Sequence, residues 1–138
     1  MLGGGNPVGG SNPAGTGSSI NYIRTENQIL AYAYSGEVSI VAGGGTADTV
    51  MLKFATGNET IDGTIMVGLN DNGAPTVNLE AVLNGEVIYG IKFDAGGPAS
   101  FIADTPLYIL IPPYSNFEFK VGLNDNQAMT ALLRGLVY

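Results

Sequence analysis

The side chains of this sequence that could do chemistry are carboxylates, amides and hydroxyls. The hexapeptide VGLNDN occurs twice, at residues 67–72 and 121–126, so that Asp71 and Asp125 each lie between two asparagines. Such oxygens are calcium ligands, but calcium takes six to eight of them and each loop offers one carboxylate. The simpler interpretation is that both copies end a strand in a polar turn at the same end of the fold.

The residue types on which most catalysis depends are absent. The sequence contains no histidine, cysteine or tryptophan. The usual general base, the thiol nucleophile and the zinc and iron–sulfur ligands are therefore missing. A glycosidase needs two carboxylates across a cleft, and no spacing here favours such a pair. The other carboxylates lie in or beside predicted turns: Glu26, Glu37, Asp48, Asp62, Asp94 and Asp104. We predict no enzyme activity, no cofactor and no metal.

Length and composition indicate one globular domain. The chain has 138 residues, 45% hydrophobic and 12% charged, with a net charge of −7. The charged fraction is about half the usual value, so solubility depends on Asn, Ser, Thr and Gly, or part of the surface is covered by partners. The basic residues are scattered singly: Arg24, Lys53, Lys92, Lys120 and Arg134. Without a basic patch, we expect no nucleic-acid binding.

No segment points to a membrane or to export. No apolar run approaches the ~20 residues that span a bilayer. The first residues, MLGGG, contain neither a charged region nor an apolar region of the kind found in a signal peptide. We therefore expect a soluble protein that is made in the cytoplasm without export.

Residues 1–19 differ from the rest of the chain in being almost entirely Gly, Pro, Asn and Ser. Such a segment buries too little apolar area to offset its ordering entropy. Two interpretations remain open, a dispensable tail and an extended arm that becomes ordered along a partner. On the second, the contacts come from two Asn-Pro steps and two apolar side chains: Leu2, Asn6, Pro7, Val8, Asn12 and Pro13.

Residues 20–138 carry the periodicity of β-strands. Residues 117–123 alternate without a fault, which indicates a strand with one buried face. Residues 107–111 form a nearly continuous apolar run, which suits a strand with both faces covered, and Pro112-Pro113 ends it. Asn84-Gly85, between two alternating runs, predicts a type I′ hairpin.

The remaining strands are predicted from shorter patterns. In residues 29–34, Ile29, Ala31 and Ala33 alternate with Leu30, Tyr32 and Tyr34. Val50, Leu52 and Phe54 are expected on one face, and the strand at 86–94 is expected to bury Val87, Tyr89, Ile91 and Phe93. Residues 128–138 are predicted to be a strand in a terminal hairpin.

The total is eight or nine short strands with no clear helix. Spacings of about 8–12 residues indicate an antiparallel sandwich or barrel, and eight strands in two sheets fit a jelly roll. We therefore predict an all-β, antiparallel, eight-stranded β-sandwich at 20–138, preceded by an extended Gly/Pro-rich N-terminal arm at 1–19.

The acidic β body, the arm and the closing pattern ILIPPYSNFEFKV…ALLRGLVY resemble small jelly-roll proteins of virions. The pattern is most similar to that of the capsid decoration (cement) proteins of tailed bacteriophages. The local likeness lies in Ile111-Pro112-Pro113 and in residues 133–138. The resemblance implies a structural virion protein on the capsid surface, usually a homotrimer, that stabilises the shell. Its implied partners are the major capsid protein and neighbouring copies of itself.

Another function stays open. Related jelly rolls form fibre heads and carbohydrate-binding modules, so the fold alone does not decide the role. A glycan-binding or host-recognition module would need an exposed aromatic platform. The candidates are the tyrosines: Tyr22, Tyr32, Tyr34, Tyr89, Tyr108, Tyr114 and Tyr138.

Overall fold

The computed structural model describes residues 20–43, 46–69, 76–94 and 106–138. Within these ranges the regular structure consists of ten β-strands. Their bounds are β1 Asn21–Arg24, β2 Ile29–Tyr34, β3 Val38–Ile40, β4 Thr49–Ala55, β5 Ile61–Leu69, β6 Thr76–Leu83, β7 Glu86–Asp94, β8 Leu107–Ile111, β9 Asn116–Leu123 and β10 Gln127–Val137. These ranges hold no helix that could cross a membrane.

The strands form two antiparallel sheets. The six-stranded sheet has the order β1-β2-β10-β5-β8, with β3 also paired to β10, and the four-stranded sheet has the order β4-β9-β6-β7. Apart from the short β1 and β3, the strands pair as β2 with β10, β4 with β9, β5 with β8 and β6 with β7. This is one long antiparallel hairpin rolled into a sandwich, which is the jelly-roll connection. The predicted eight-stranded sandwich is confirmed in these eight strands. The short β3 is a ninth strand and β1 a tenth, and β1 is the strand that the pattern missed.

The core lies between the sheets and is centred on β9. Phe117, Phe119, Val121 and Leu123 are completely buried, as the alternation predicts. The ring of Phe117 packs against that of Phe54 on β4, with ring centroids 5.3 Å apart. Burying side chains of this size stabilises the fold by roughly 1.5–3 kcal/mol each.

The turn between β6 and β7 is the predicted type I′. Asn84 has φ 51° and Gly85 has φ 86°, the two positive values that this turn requires. The turn is also tied to the start of β9. The backbone N–H of Asn84 donates to the carbonyl of Asn116 at 2.8 Å, and the N–H of Asn116 donates to Asn84 Oδ1 at 2.8 Å.

The predicted terminal hairpin is wrong. β9 belongs to the four-stranded sheet and β10 to the six-stranded sheet, so the turn between them crosses the sandwich. β10 is one continuous strand and pairs with β2 and β5. The pattern could not distinguish these arrangements, because a strand with one apolar side satisfies it in either sheet.

Two predicted strand faces also need correction. A register shift lies between Val50 and Leu52 in β4, so these two residues do not share a face, and Met51 and Leu52 are both buried. β7 is an edge strand, and Val87 and Tyr89, which were expected to be buried, are exposed. An edge strand has a neighbour on one side only, which leaves its side chains less covered. The side chain of Phe93 lies outside the described part of the molecule.

Candidate functional site: the outer face of the six-stranded sheet

A row of polar and aromatic side chains crosses the outer side of the six-stranded sheet. Tyr32 on β2 is opposite Arg134 on β10. Arg134 is opposite Thr64 on β5, and Thr64 is opposite Tyr108 on β8. Directly opposite residues in antiparallel strands point to the same side, and neighbouring strands lie about 4.8 Å apart. Arg134 and Thr64 therefore lie between two tyrosines whose backbones are about 14 Å apart.

A second row, two residues further along each strand, is almost entirely aliphatic. Leu30 on β2 is opposite Leu136 on β10, which is opposite Asp62 on β5, which is opposite Leu110 on β8. Ile23 on β1 extends this row beside Leu30. The row is apolar except for the carboxylate of Asp62.

A third row lies on the other side of the first and is also apolar. Tyr34 on β2 is opposite Leu132 on β10, and Leu132 is opposite Met66 on β5. The rings of Tyr34 and Tyr32 pack against each other with centroids 5.3 Å apart and planes inclined by 40°. We call these three rows together the apolar face. Its members are Ile23, Leu30, Tyr32, Tyr34, Asp62, Thr64, Met66, Tyr108, Leu110, Leu132, Arg134 and Leu136.

Much of the apolar face is open to solvent. Tyr108 is 76% exposed, Leu110 60% and Ile23 50%. Around Arg134 the surface forms a shallow cavity of about 750 Å³. The apolar run at 107–111 predicts a strand covered on both sides, yet β8 is covered only on the side of Ile109 and Ile111. The prediction is wrong for the single chain.

The opposite side of the sandwich has an ordinary charged surface. On the outer side of the four-stranded sheet, Lys53 lies 3.4 Å and Lys120 lies 3.7 Å from the carboxylate oxygens of Glu118. Glu80 is directly opposite Lys120, and Lys92 lies on the neighbouring β7. Exposed ion pairs of this kind contribute at most about 1 kcal/mol each. This surface therefore carries more charged side chains than the apolar face, whose charged members are Arg134 and Asp62.

The structure separates the seven tyrosines. Tyr32, Tyr34 and Tyr108 share the apolar face. Tyr22 packs against the core from the inner side of β1, and Tyr89 lies on the edge strand β7. Tyr114 lies in the turn between β8 and β9, Tyr138 directly follows β10, and both are exposed. The predicted arm contacts (Leu2, Asn6, Pro7, Val8, Asn12 and Pro13) lie outside the described residues.

Among the residues that the structure describes, the phenol of Tyr22 is the group whose pKa departs clearly from its ordinary value. Burial, and to a smaller extent the negative charge of Glu59, raise the pKa of Tyr22 to about 12. The phenol therefore stays protonated at neutral pH and cannot act there as a base. This tyrosine is part of the core and does not belong to the apolar face.

The second VGLNDN copy uses its amide oxygens to hold neighbouring backbone segments. Asn124 Oδ1 accepts the backbone N–H of Thr76 at 2.9 Å, and Asn126 Oδ1 accepts that of Ala42 at 2.7 Å. Nowhere in the described ranges do three or more acidic side chains group in a way that could hold a metal ion. Asp71 lies outside these ranges. Leu69, which ends β5, pairs with Met129 near the start of β10, so both copies end strands at the same end of the sandwich, as predicted.

Comparison with protein-family models and with curated proteins finds no match for this chain. The apolar face is therefore characterised by its own residues and geometry. The sequence pattern did not predict that these side chains share one face, although β2 carries a signal of it. In β2 both sides of the strand are apolar, with alanines on the inner side and Leu30, Tyr32 and Tyr34 on the outer side.

Proposed function

We propose that this chain is a structural virion protein, a decoration (cement) protein that binds the outer shell of a bacteriophage capsid and stabilises it as a homo-oligomer. The observation that supports the proposal best is the contrast between the two outer surfaces of the sandwich. One carries Lys53, Lys120 and Glu118 in ion pairs. The other is apolar, with Tyr108 and Leu110 exposed.

The size of the apolar face favours an interface. The twelve positions of the face, on strands about 4.8 Å apart and in rows about 6.8 Å apart, cover on the order of 400 Å². Contiguous apolar patches of this extent on soluble monomers often serve binding. At about 25 cal/mol per Å² of apolar area, covering such a face contributes up to about 10 kcal/mol of hydrophobic free energy, before the entropy cost of association is subtracted.

The same contrast suggests a separate role for each surface of the body and for the arm. The charged surface faces solvent, the apolar face is covered within the assembly, and the arm at 1–19 reaches the major capsid protein. Leu2 and Val8 supply its apolar contacts, and Pro7 and Pro13 limit its backbone entropy. Nineteen residues span at most about 60 Å when extended, enough to cross from one subunit to the next.

Immunogold labelling tests the proposal directly. Antibodies raised against the folded body should label the outer surface of intact virus particles from the source of the chain. Particles from which the protein has been removed should bind the purified protein to saturation. They should then withstand heating better than particles to which it was not added back. If the protein is absent from particles and does not bind to them, the proposal is wrong.

A second function, glycan recognition, is favoured by one observation. Tyr32, Tyr34 and Tyr108 surround a cavity of about 750 Å³ that also contains Arg134 and Asp62. Aromatic rings with a few polar groups are usual in small-ligand sites. The inclined rings of Tyr32 and Tyr34 offer no single flat platform, however, and the aliphatic neighbours cannot form hydrogen bonds to sugar hydroxyls.

A glycan array distinguishes the two functions. The structural proposal predicts no selective binding. Binding of one glycan class by the wild-type protein, lost in Tyr108→Ala and kept in Tyr114→Ala, would replace the structural proposal with a recognition module.

A further inference from the structure

We propose that the apolar face pairs with the same face of a second copy about a two-fold axis, with Arg134 of each copy beside Asp62 of the other. The inference deepens the proposed function and rests on it in one respect, that the apolar face is covered in the working protein. What is added is that a second copy of the chain covers the apolar face. It also departs from the trimer that the resemblance to decoration proteins implies.

The charged side chains of the apolar face form one pair of opposite sign. Arg134 and Asp62 are the charged members of the apolar face. They lie on neighbouring strands: Arg134 is opposite Thr64, and Asp62 is two residues from Thr64 on β5. In the described part of the chain the ion pairs are those of Glu118 with Lys53 and Lys120, so Arg134 and Asp62 are not paired with each other. The face is neutral, with one positive and one negative group side by side.

Such a pair of charges is self-complementary. An isologous contact brings the same patch of two copies together, so that residue i meets j and j meets i. An axis in the plane of the contact, midway between Arg134 and Asp62, places each guanidinium over the carboxylate of the other copy. A partner of a single charge sign would leave either Arg134 or Asp62 opposed by a like charge.

The shape and area of the apolar face also fit a second copy of the same face. The face belongs to one sheet, and two sheets pack face to face at about 10 Å through interdigitating side chains. About 400 Å² on each copy makes about 800 Å² for the pair, an area that fits a weak, transient interface. We therefore expect a reversible dimer with a dissociation constant in the micromolar range.

Sedimentation velocity of the full chain from 1 to 200 µM tests the pairing. The wild-type protein should shift from monomer to dimer over this range. Arg134→Asp should weaken the dimer at least tenfold, because it places like charges together, and Asp62→Arg should do the same. The double variant, Arg134→Asp with Asp62→Arg, should return the dissociation constant to within about threefold of wild type, because exchanged charges remain complementary. Lys53→Asp, on the charged surface, should change nothing.

Hydroxyl-radical footprinting of the unmodified protein gives a second measurement that requires no variant. Tyr108 and Tyr114 are 76% and 77% exposed and so react alike in the monomer. At 200 µM the labelling of Tyr108 should fall several-fold and that of Tyr114 should not.

The pairing is overturned by a monomer at 200 µM, by a trimer, by equal labelling of the two tyrosines, or by a folded double variant that stays monomeric. These outcomes are separable from failure of the proposed function. A monomer that binds virus particles would remove the pairing and leave the decoration function. A dimer that the double charge exchange restores, but that never binds particles, would leave the pairing and remove the decoration function.

Discussion

Gly122 in β9 lies directly against the backbone of Thr46, so closely that a β-carbon on Gly122 would overlap the Thr46 carbonyl oxygen. Gly68 occupies the same position in the other VGLNDN copy, and its neighbour is different. A β-carbon there would lie 2.8 Å from the side-chain hydroxyl oxygen of Thr130. The glycine shared by the two hexapeptides is therefore a strict requirement at one site only.

Gly122→Ala should destabilise the protein by about 2 kcal/mol or more, because a backbone segment must move to admit the methyl group. Gly68→Ala is the matched control and should cost less than about 1 kcal/mol, because the Thr130 hydroxyl can rotate away. Urea unfolding monitored by tyrosine fluorescence measures both. Equal costs would show that the contact with Thr46 is not tight.

Gly85→Val should cost about 1 kcal/mol or more, since a β-branched residue would have to adopt φ 86°. The cost is conformational, because no atom lies within 4 Å of a β-carbon at Gly85. Gly90→Val, in the middle of β7 and open to solvent, is the control and should be neutral or slightly stabilising. Thermal unfolding of the two variants should differ in this direction, and a neutral Gly85→Val would place the hairpin elsewhere.

Alkaline pH should weaken the fold through Tyr22. Its pKa is about 12 in the folded protein against 10.0 for the free side chain. Between these values the unfolded chain releases a proton that the folded chain retains. The stability linked to Tyr22 is therefore complete below pH 10 and is lost as the pH rises toward 12.

Tyr22→Phe should make the melting temperature fall less steeply between pH 10 and 12. Tyr114→Phe, which removes a hydroxyl from an exposed ring, is the control and should leave the slope unchanged. Identical slopes for wild type and Tyr22→Phe would mean that the phenol is solvated in the folded protein.

Deleting residues 1–19 should leave the melting temperature of the body within about a degree, because the segment has little apolar surface to bury. The same deletion should reduce binding to virus particles at least tenfold if the arm makes the proposed capsid contacts. Co-sedimentation with virus particles from which the protein has been removed measures this binding. Unchanged binding by the truncated protein would show that the segment is a dispensable tail.

The strands that were predicted best are those whose pattern depends on the core alone. β9 alternates because every second side chain meets the opposite sheet, and Asn84-Gly85 specifies its turn through local backbone geometry. β1 was missed because Asn21–Arg24 is short, with polar residues at both ends. A strand of this kind forms because β2 offers it hydrogen bonds, which a single-sequence pattern does not report.

The candidate site was less predictable for a physical reason. Tyr32, Arg134 and Tyr108 come from distant parts of the chain and lie in one row only because β10 lies between β2 and β5. Periodicity assigns a side chain to a face of its own strand but does not say which strand lies beside it. The sequence shows that both sides of β2 and β8 are apolar. The structure shows that the outer sides of these two strands belong to the apolar face.

The position of β10 has a consequence for how the protein folds. β10 follows all the other strands in the chain, yet it fills the gap between β2 and β5. The backbone N–H of Ala131 donates to the hydroxyl of Ser35, 96 residues earlier. Contacts this distant in sequence form slowly, on the scale of milliseconds to seconds. Until β10 is in place, β2 and β5 each present an unpaired edge to other chains. Folding therefore competes with edge-to-edge association, and the refolding yield should fall as the protein concentration rises.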